Sequence, residues 1–277
     1  VVRGRDDTPA LEDLQGYGAA KDWALALVEE VARVRRGEIT ADALESAVFF
    51  GVPGTGKTSL ARAIAQGARL PLIVTSVAEW FANSPGHLDS VIKQANGFYD
   101  QLLAAAPCIG FLDELDALPN RATLSARGAD WWLPVITNNL LKIDQVRAAR
   151  SGVILLAATN HLERIDAALL RPGRFDRQFE IEPPDEASLR GILRQHLGDD
   201  LTGVDLTAAA RLGAGATGAV AVGWIRAARR RARAAARALT LEDLSPRLLR
   251  PTRARWRCCG RPRFTRRRMG WRRCGSG

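Results

Sequence analysis

Long apolar runs are missing from this sequence. None approaches the ~18 residues that a membrane helix needs. The longest, around Ala47–Phe50 and Val153–Ala158, are strand-sized. No basic segment followed by an apolar stretch opens the chain, so it carries no recognisable secretory leader. It begins on Val1 rather than Met, as a fragment would. Cysteine is scarce: of the four, only Cys108 lies ahead of the C-terminal tail. The body therefore has no disulfide framework, which fits a reducing, cytoplasmic setting. His87, His161 and His196 are scattered and no His-Glu-x-x-His occurs, so this chain encodes no zinc hydrolase site of that kind. No internal repeat is detectable. Asp and Glu are absent from residues 246–277, where twelve of the forty Lys and Arg lie. The formal charge of +10 belongs to that tail, because the preceding 245 residues carry 28 basic and 30 acidic groups.

What is present is a globular composition, 47% apolar and 25% charged, which excludes wholesale disorder. Strand-like runs at Ala47–Phe50, Leu72–Thr75, Ile109–Leu112, Val153–Ala158 and Phe179–Ile181 alternate with helical patterns. Over Leu88–Ala106 the apolar residues recur with helical periodicity. Such alternation predicts a parallel sheet with helices on both faces. Pro183-Pro184 closes this region, and only helical signals follow as far as Leu244. Thr217 is a candidate N-cap for a helix to about Leu239, and Thr240 for a short one at Leu241–Leu244. The six arginines from Arg226 to Arg237 are expected on the wet face of the longer helix, opposite Trp224, Ile225 and Ala228.

The strongest local signal is Gly51-Val-Pro-Gly-Thr-Gly-Lys-Thr58, set between a strand-like run and a helix former. It has the spacing of a phosphate loop. Gly51, Gly54 and Gly56 allow positive φ and close backbone approach, with Pro53 and Thr55 between them. Successive N–H groups at a helix N-terminus hold negative charge. Lys57 would reach the β and γ phosphates and the Thr58 hydroxyl would ligate Mg²⁺. Ile109–Glu114 is an apolar strand ending in two carboxylates. In a parallel sheet both arrive at the carboxyl edge, where ligands bind. Asp113 would hold Mg²⁺ through its waters, and Glu114 would be the general base for an attacking water. Asn160 ends another apolar strand and could orient the water or sense the γ phosphate. Arg171 and Arg174 flank Pro172-Gly173. They fit arginines that complete a neighbour's phosphoryl-transfer site, or ordinary salt bridges on a surface turn.

Taken together these residues resemble the AAA ATPase family, and within it the FtsH-like and p97-like members. Gly51–Thr58 resembles Walker A, Ile109–Glu114 Walker B, Asn160 sensor 1, and Leu169–Asp176 the second region of homology. The resemblance covers about 8–245. It implies a P-loop NTPase αβα sandwich with a parallel five-stranded sheet over 1–183, then a small all-helical lid over 184–245. It also implies ATP and Mg²⁺ as ligands, a hexameric ring with ATP between protomers, and Arg171 and Arg174 as fingers acting on the adjacent subunit. Gly16 and Tyr17 would lie near the adenine, with Gly218 and Ala219 beside the base. Trp80 and Phe81 match the family's aromatic loop that grips a polypeptide substrate; burial against the domain is the alternative. The chain departs from the family at Asn83, where relatives carry Gly, and at Val220, where an acidic residue is usual. It also has neither the membrane anchor nor the zinc protease that flank this module in FtsH-like proteases.

Residues 246–277 do not read as a folded domain: Arg, Trp, Cys, Gly and Pro dominate. A basic arm binding nucleic acid by counterion release and stacking is one reading. The other, which the composition favours, is out-of-frame translation of GC-rich DNA. The leading functional expectation is an ATP-hydrolysing AAA module that remodels proteins, in the form of a severed protease part. A nucleic-acid-directed motor using the tail and a nucleotide-switched scaffold are the alternatives.

Overall fold

The computed structural model describes residues 9–84 and 87–244, apart from the side chains of 126 and 127. The tail beyond 244, and with it both readings of that segment, lies outside the described residues. In chain order the elements are α1 (Gly18–Arg35), β1 (Ala47–Phe50), α2 (Lys57–Ala68), β2 (Leu72–Ser76), α3 (Val77–Ala82), α4 (Leu88–Ala104), β3 (Ile109–Asp113), α5 (Ala126–Ala148), β4 (Ile154–Thr159) and β5 (Arg177–Glu180). Three further helices follow: α6 (Glu186–Leu197), α7 (Thr207–Leu212) and α8 (Gly218–Ala234).

The five strands form one all-parallel sheet in the order β2-β3-β4-β1-β5. Successive side chains on a strand point to opposite faces, and here both faces are covered. Ala47 and Phe49 of β1, Ile109 and Phe111 of β3, and Ile154 and Leu156 of β4 join one apolar layer with α1 and α2. Val48, Leu112, Leu155 and Ala157 join the opposite layer with α4 and α5. That double burial is why β1, β3 and β4 read as continuous apolar runs. Phe49 and Phe111 are fully buried, each stabilising the fold by roughly 1.5–3 kcal/mol relative to exposure. The buried Tyr99 hydroxyl donates to Asn139 at 3.0 Å, and the Asn139 amide donates to the Val135 carbonyl at 2.9 Å, so this polar pair in the core is satisfied.

Several element ends shift from the sequence expectation, and two of the shifts have a clear cause. The fifth strand starts at Arg177 rather than Phe179. It is an edge strand paired only to β1, from Ala47↔Arg177 to Phe50↔Glu180, so Arg177 and Gln178 stay exposed and carry no apolar signal. Helix α8 stops at Ala234, short of Leu239, because Ala236 turns left-handed (φ 49°) and the Arg237 N–H bonds back to the Ala232 carbonyl. Thr217 precedes α8 in extended conformation but makes no side-chain capping bond. Helices α6, α7 and α8 pack around their own apolar cluster, which includes Leu189, Leu193, Trp224, Ile225 and Ala228. Arg226, Arg230, Arg233 and Arg237 are exposed on α8 and beyond it. Among the described residues no helix is long and apolar enough to cross a membrane.

Candidate nucleotide site

The sheet order determines what meets at its carboxyl edge. Register pairs Phe50 with Thr159 and Ser76 with Asp113, so the ends of β1, β2, β3 and β4 lie along one rim. The phosphate loop leaves β1 there and closes onto α2. Gly51 is the position where a side chain is least tolerable: φ is 139°, and an added Cβ would run into the Ile181 carbonyl. Lys57, only 8% exposed, uses its three protons on the carbonyls of Gly51 (2.7 Å) and Val52 (3.1 Å) and on Asn160 Oδ1 (2.9 Å). Its pKa is lowered by burial, partly offset by Asp113 and Asp116.

The Thr58 hydroxyl donates to Asp113 Oδ2 at 3.0 Å, and the other Asp113 oxygen accepts the Glu114 N–H at 2.9 Å. Glu114 stands in the left-handed region at φ 54°, a strained setting for a non-glycine residue of the kind that clusters at working sites. Its carboxylate accepts from the Ser76 hydroxyl at 2.7 Å. Behind it, Thr159 donates to Asp116 at 2.8 Å and accepts the His161 N–H at 3.0 Å, which fixes the turn that carries Asn160.

A cleft of about 800 Å³ collects these groups, a size proper to a small-molecule site. On its other wall the Tyr17 hydroxyl donates to the Gly56 carbonyl at 3.1 Å, and burial pushes its pKa up to about 12. Gly16 adjoins it with φ 82° and sits against Pro184. The first turn of α8 reaches the loop directly: the Ala219 N–H donates to the Gly54 carbonyl at 3.1 Å. Gly218 lies against the same carbonyl and against Ile192.

The structure thus brings together Gly16, Tyr17, the loop Pro53–Thr58, Asp113, Glu114, Asn160, Gly218 and Ala219. Gly51 lies just beneath them, holding the loop lysine. Arg171 and Arg174 do not line this cleft. Arg174 is engaged within the chain: its guanidinium meets Asp144 of α5 through two bonds of 2.7 Å, and the Ala168 carbonyl through a third of 2.7 Å. Asp144 is held below the usual carboxylate range by that arginine. Arg171 is exposed, and among the described residues no ion pair engages it.

Trp80 requires a correction. It does not stand in a gripping loop but on α3, whose N-terminus is capped by Ser76. Its ring is 2% exposed in the core, and its Nε1 donates to Thr75 at 2.7 Å, so in this conformation it has no face for a substrate. Phe81 is half-buried and packs on Trp132 and Trp131, with ring centroids 5.1 and 6.0 Å away. Sequence reasoning also missed Ser76, Asp116, Thr159, Ile192, His196 and Arg226. Only the strand-end position of Ser76 and Thr159 offered a local clue.

Comparison with known proteins bears on the same segment. Residues 47–183 match the family model described as "ATPase family associated with various cellular activities (AAA)". This chain contains an AAA ATPase module. The ATP-dependent zinc metalloprotease FtsH of Lancefieldella parvula is 34% identical over 252 residues, covering 88% of this chain and 38% of that protein. FtsH 2 of Symbiobacterium thermophilum is 37% identical over 222 residues, covering 79% of this chain and 35% of its own length. The chloroplastic FTSH 1 of Oryza sativa subsp. japonica is 40% identical over 149 residues, covering 54% and 21%. The chain thus spans little more than a third, at most, of the length of these relatives. As an AAA ATPase module it binds and hydrolyses ATP, and the cleft at the sheet edge is where its phosphate loop and paired carboxylates meet.

Proposed function

We propose that this module is the motor of a ring-forming machine that works on polypeptides, with residues 184–244 serving as a lid over the nucleotide. The observation that carries the ring is Arg171. The cleft holds the loop lysine, the paired carboxylates and Asn160, yet the exposed arginine beside Pro172-Gly173 does not line it. A cation of that kind, supplied to a neighbour's site, stabilises the charge that develops in phosphoryl transfer. On this reading Arg174 orients the turn through Asp144, and Arg171 is the finger. Likeness to ATP-dependent zinc metalloproteases supports a place as the ATP-dependent part of such an enzyme. The aromatic cluster of Phe81, Trp131 and Trp132 is then the part of this region left to meet a substrate chain.

The donors beside the loop fit Mg²⁺. Thr58 Oγ1 and Asp113 Oδ2 are oxygens 3.0 Å apart. A hard cation that keeps most of its waters asks little more of a protein that also holds phosphates. When bound, the ion neutralises phosphate charge. The chain's own residues do the rest. Loop N–H groups and Lys57 hold the phosphates, Asn160 orients the attacking water, and Glu114 takes its proton.

The test mixes the Arg171→Ala chain with the Lys57→Ala chain. Each alone should be inactive. Together they should regain part of the parental ATPase rate, because a Lys57→Ala subunit can lend its arginine to the intact cleft of an Arg171→Ala neighbour. Differential tags report whether mixed assemblies form. Mixed assemblies without recovered turnover would refute the shared site.

A further inference from the structure

The phosphate end of the cleft is accounted for by the loop, the carboxylates and Asn160. The cleft is also lined by Ile192 and His196 of α6 and by Val222 and Arg226 of α8. Gly218, Val222 and Arg226 are spaced i, i+4, i+8, so they form one stripe along the helix. With a rise of about 1.5 Å per residue, Arg226 lies about 12 Å along α8 from the turn that is bonded to Gly54. Arg226 therefore belongs to the end of the cleft remote from Lys57.

Among the arginines of this helix it alone lines the cleft. Arg229 is committed to Asp200 at 2.8 Å and to the carbonyls of His196 and Leu197. Arg231 donates to the Asp243 carbonyl at 2.7 Å. Arg226 is exposed, lines the cleft, and among the described residues has no ion pair. It also lies close enough to His196 to act on it: partial burial, then Arg226 and Arg229, lower the His196 pKa below the ordinary imidazole value. That environment favours the neutral His196 imidazole, in which one ring nitrogen can accept a hydrogen bond. A planar guanidinium offers five N–H donors and a flat face that stacks on aromatic rings.

We propose that Arg226 is a recognition residue for the base and ribose of ATP, its guanidinium closing the cleft over that end of the nucleotide beside His196. A cation over a π face and one charge-assisted hydrogen bond are the contacts available there. They are the same for ATP and ADP, because both ligands share that end. Removing them weakens binding without altering the chemical step, so KM rises and kcat stays.

The experiment uses the full 277-residue chain, with a fluorescent ADP analogue displaced by ATP, ADP or inorganic tripolyphosphate, and steady-state ATPase kinetics alongside. Arg226→Ala should weaken ATP and ADP equally, by about 5- to 30-fold, corresponding to about 1–2 kcal/mol. Its kcat should stay within about twofold and its tripolyphosphate affinity should not change. Arg230→Ala, one turn further along α8 and not lining the cleft, should leave all three affinities at parental values; matching thermal melts establish that both variants fold. Unchanged ATP and ADP affinity in Arg226→Ala would overturn the assignment. So would an equal loss for tripolyphosphate, which has neither base nor ribose. The same loss in Arg230→Ala would also overturn it, by assigning the effect to the general field of the helix.

Discussion

Asp166 joins the loop that follows β3 to the segment that carries Arg171 and Arg174, and its removal can be sized from the structure. Its side chain is 5% exposed. One oxygen accepts from Arg121 Nε at 2.7 Å and from the Arg121 N–H at 3.1 Å. The other accepts from Arg121 Nη2 at 3.0 Å and from the Ala168 N–H at 2.9 Å. Burial alone would raise the pKa, but these four donors outweigh it and bring the carboxyl down from 3.8 to about 2. At about 1.4 kcal/mol per unit, the ionised form contributes roughly 2 kcal/mol of stability at neutral pH. The sign follows from the depressed value. The contribution is complete above the unfolded pKa and is lost as pH falls through the folded one, chiefly between about pH 4 and pH 2. Asp166→Asn keeps the size and removes the charge. Urea unfolding of variant and parent should differ by about 2 kcal/mol at both pH 7 and pH 5, and by about half of that near pH 3. A difference that is independent of pH, or below about 0.5 kcal/mol at pH 7, would show that the four bonds do not stabilise the ionised form as argued.

Other outcomes are equally concrete. Glu114→Gln should bind ATP with near-parental affinity while turnover falls by at least about 100-fold; normal turnover would remove Glu114 from the role of base. Cys108 is buried, donates to the Leu102 carbonyl at 3.3 Å, and is pushed up to about 11 by burial. Iodoacetamide at pH 8 should therefore leave it unmodified in the native chain and alkylate it in urea, as read by peptide mass spectrometry. Alkylation at equal rates in both states would contradict its burial.

What was legible in the sequence was contiguous. The phosphate loop is eight residues in a row, and its glycines at 51, 54 and 56 all take a positive φ that side chains rarely adopt. The doubly buried strands were legible as contiguous runs too: β1, β3 and β4 are apolar up to their carboxyl ends because each of their faces meets a helical layer. Edge strand β5 shows the converse, since three of its four residues are exposed and it left only a shortened signal. The rest depended on pairing between distant segments. Ser76 reaches Glu114 because β2 lies beside β3 in a register that places Ser76 opposite Asp113. Trp80 turns inward because Ser76 starts a helix there, and a six-residue helix sends one of two adjacent aromatics to the core and the next toward Trp131 and Trp132. His196 and Arg226 lie on separate helices some thirty residues apart, and only the packing of α6 on α8 gives them a common wall.

The bond between the Ala219 N–H and the Gly54 carbonyl has a mechanical consequence. It ties the root of α8 to a peptide of the phosphate loop. Helix α8 has 17 residues, a rod about 25 Å long. Tilting such a rod by ten degrees about its root carries the far tip through about 4 Å. The helix is therefore a lever whose short arm is a single peptide at the phosphate loop. Its long arm ends on an arginine-rich surface, where a fractional-ångström adjustment beside a phosphate becomes a displacement as large as an atom.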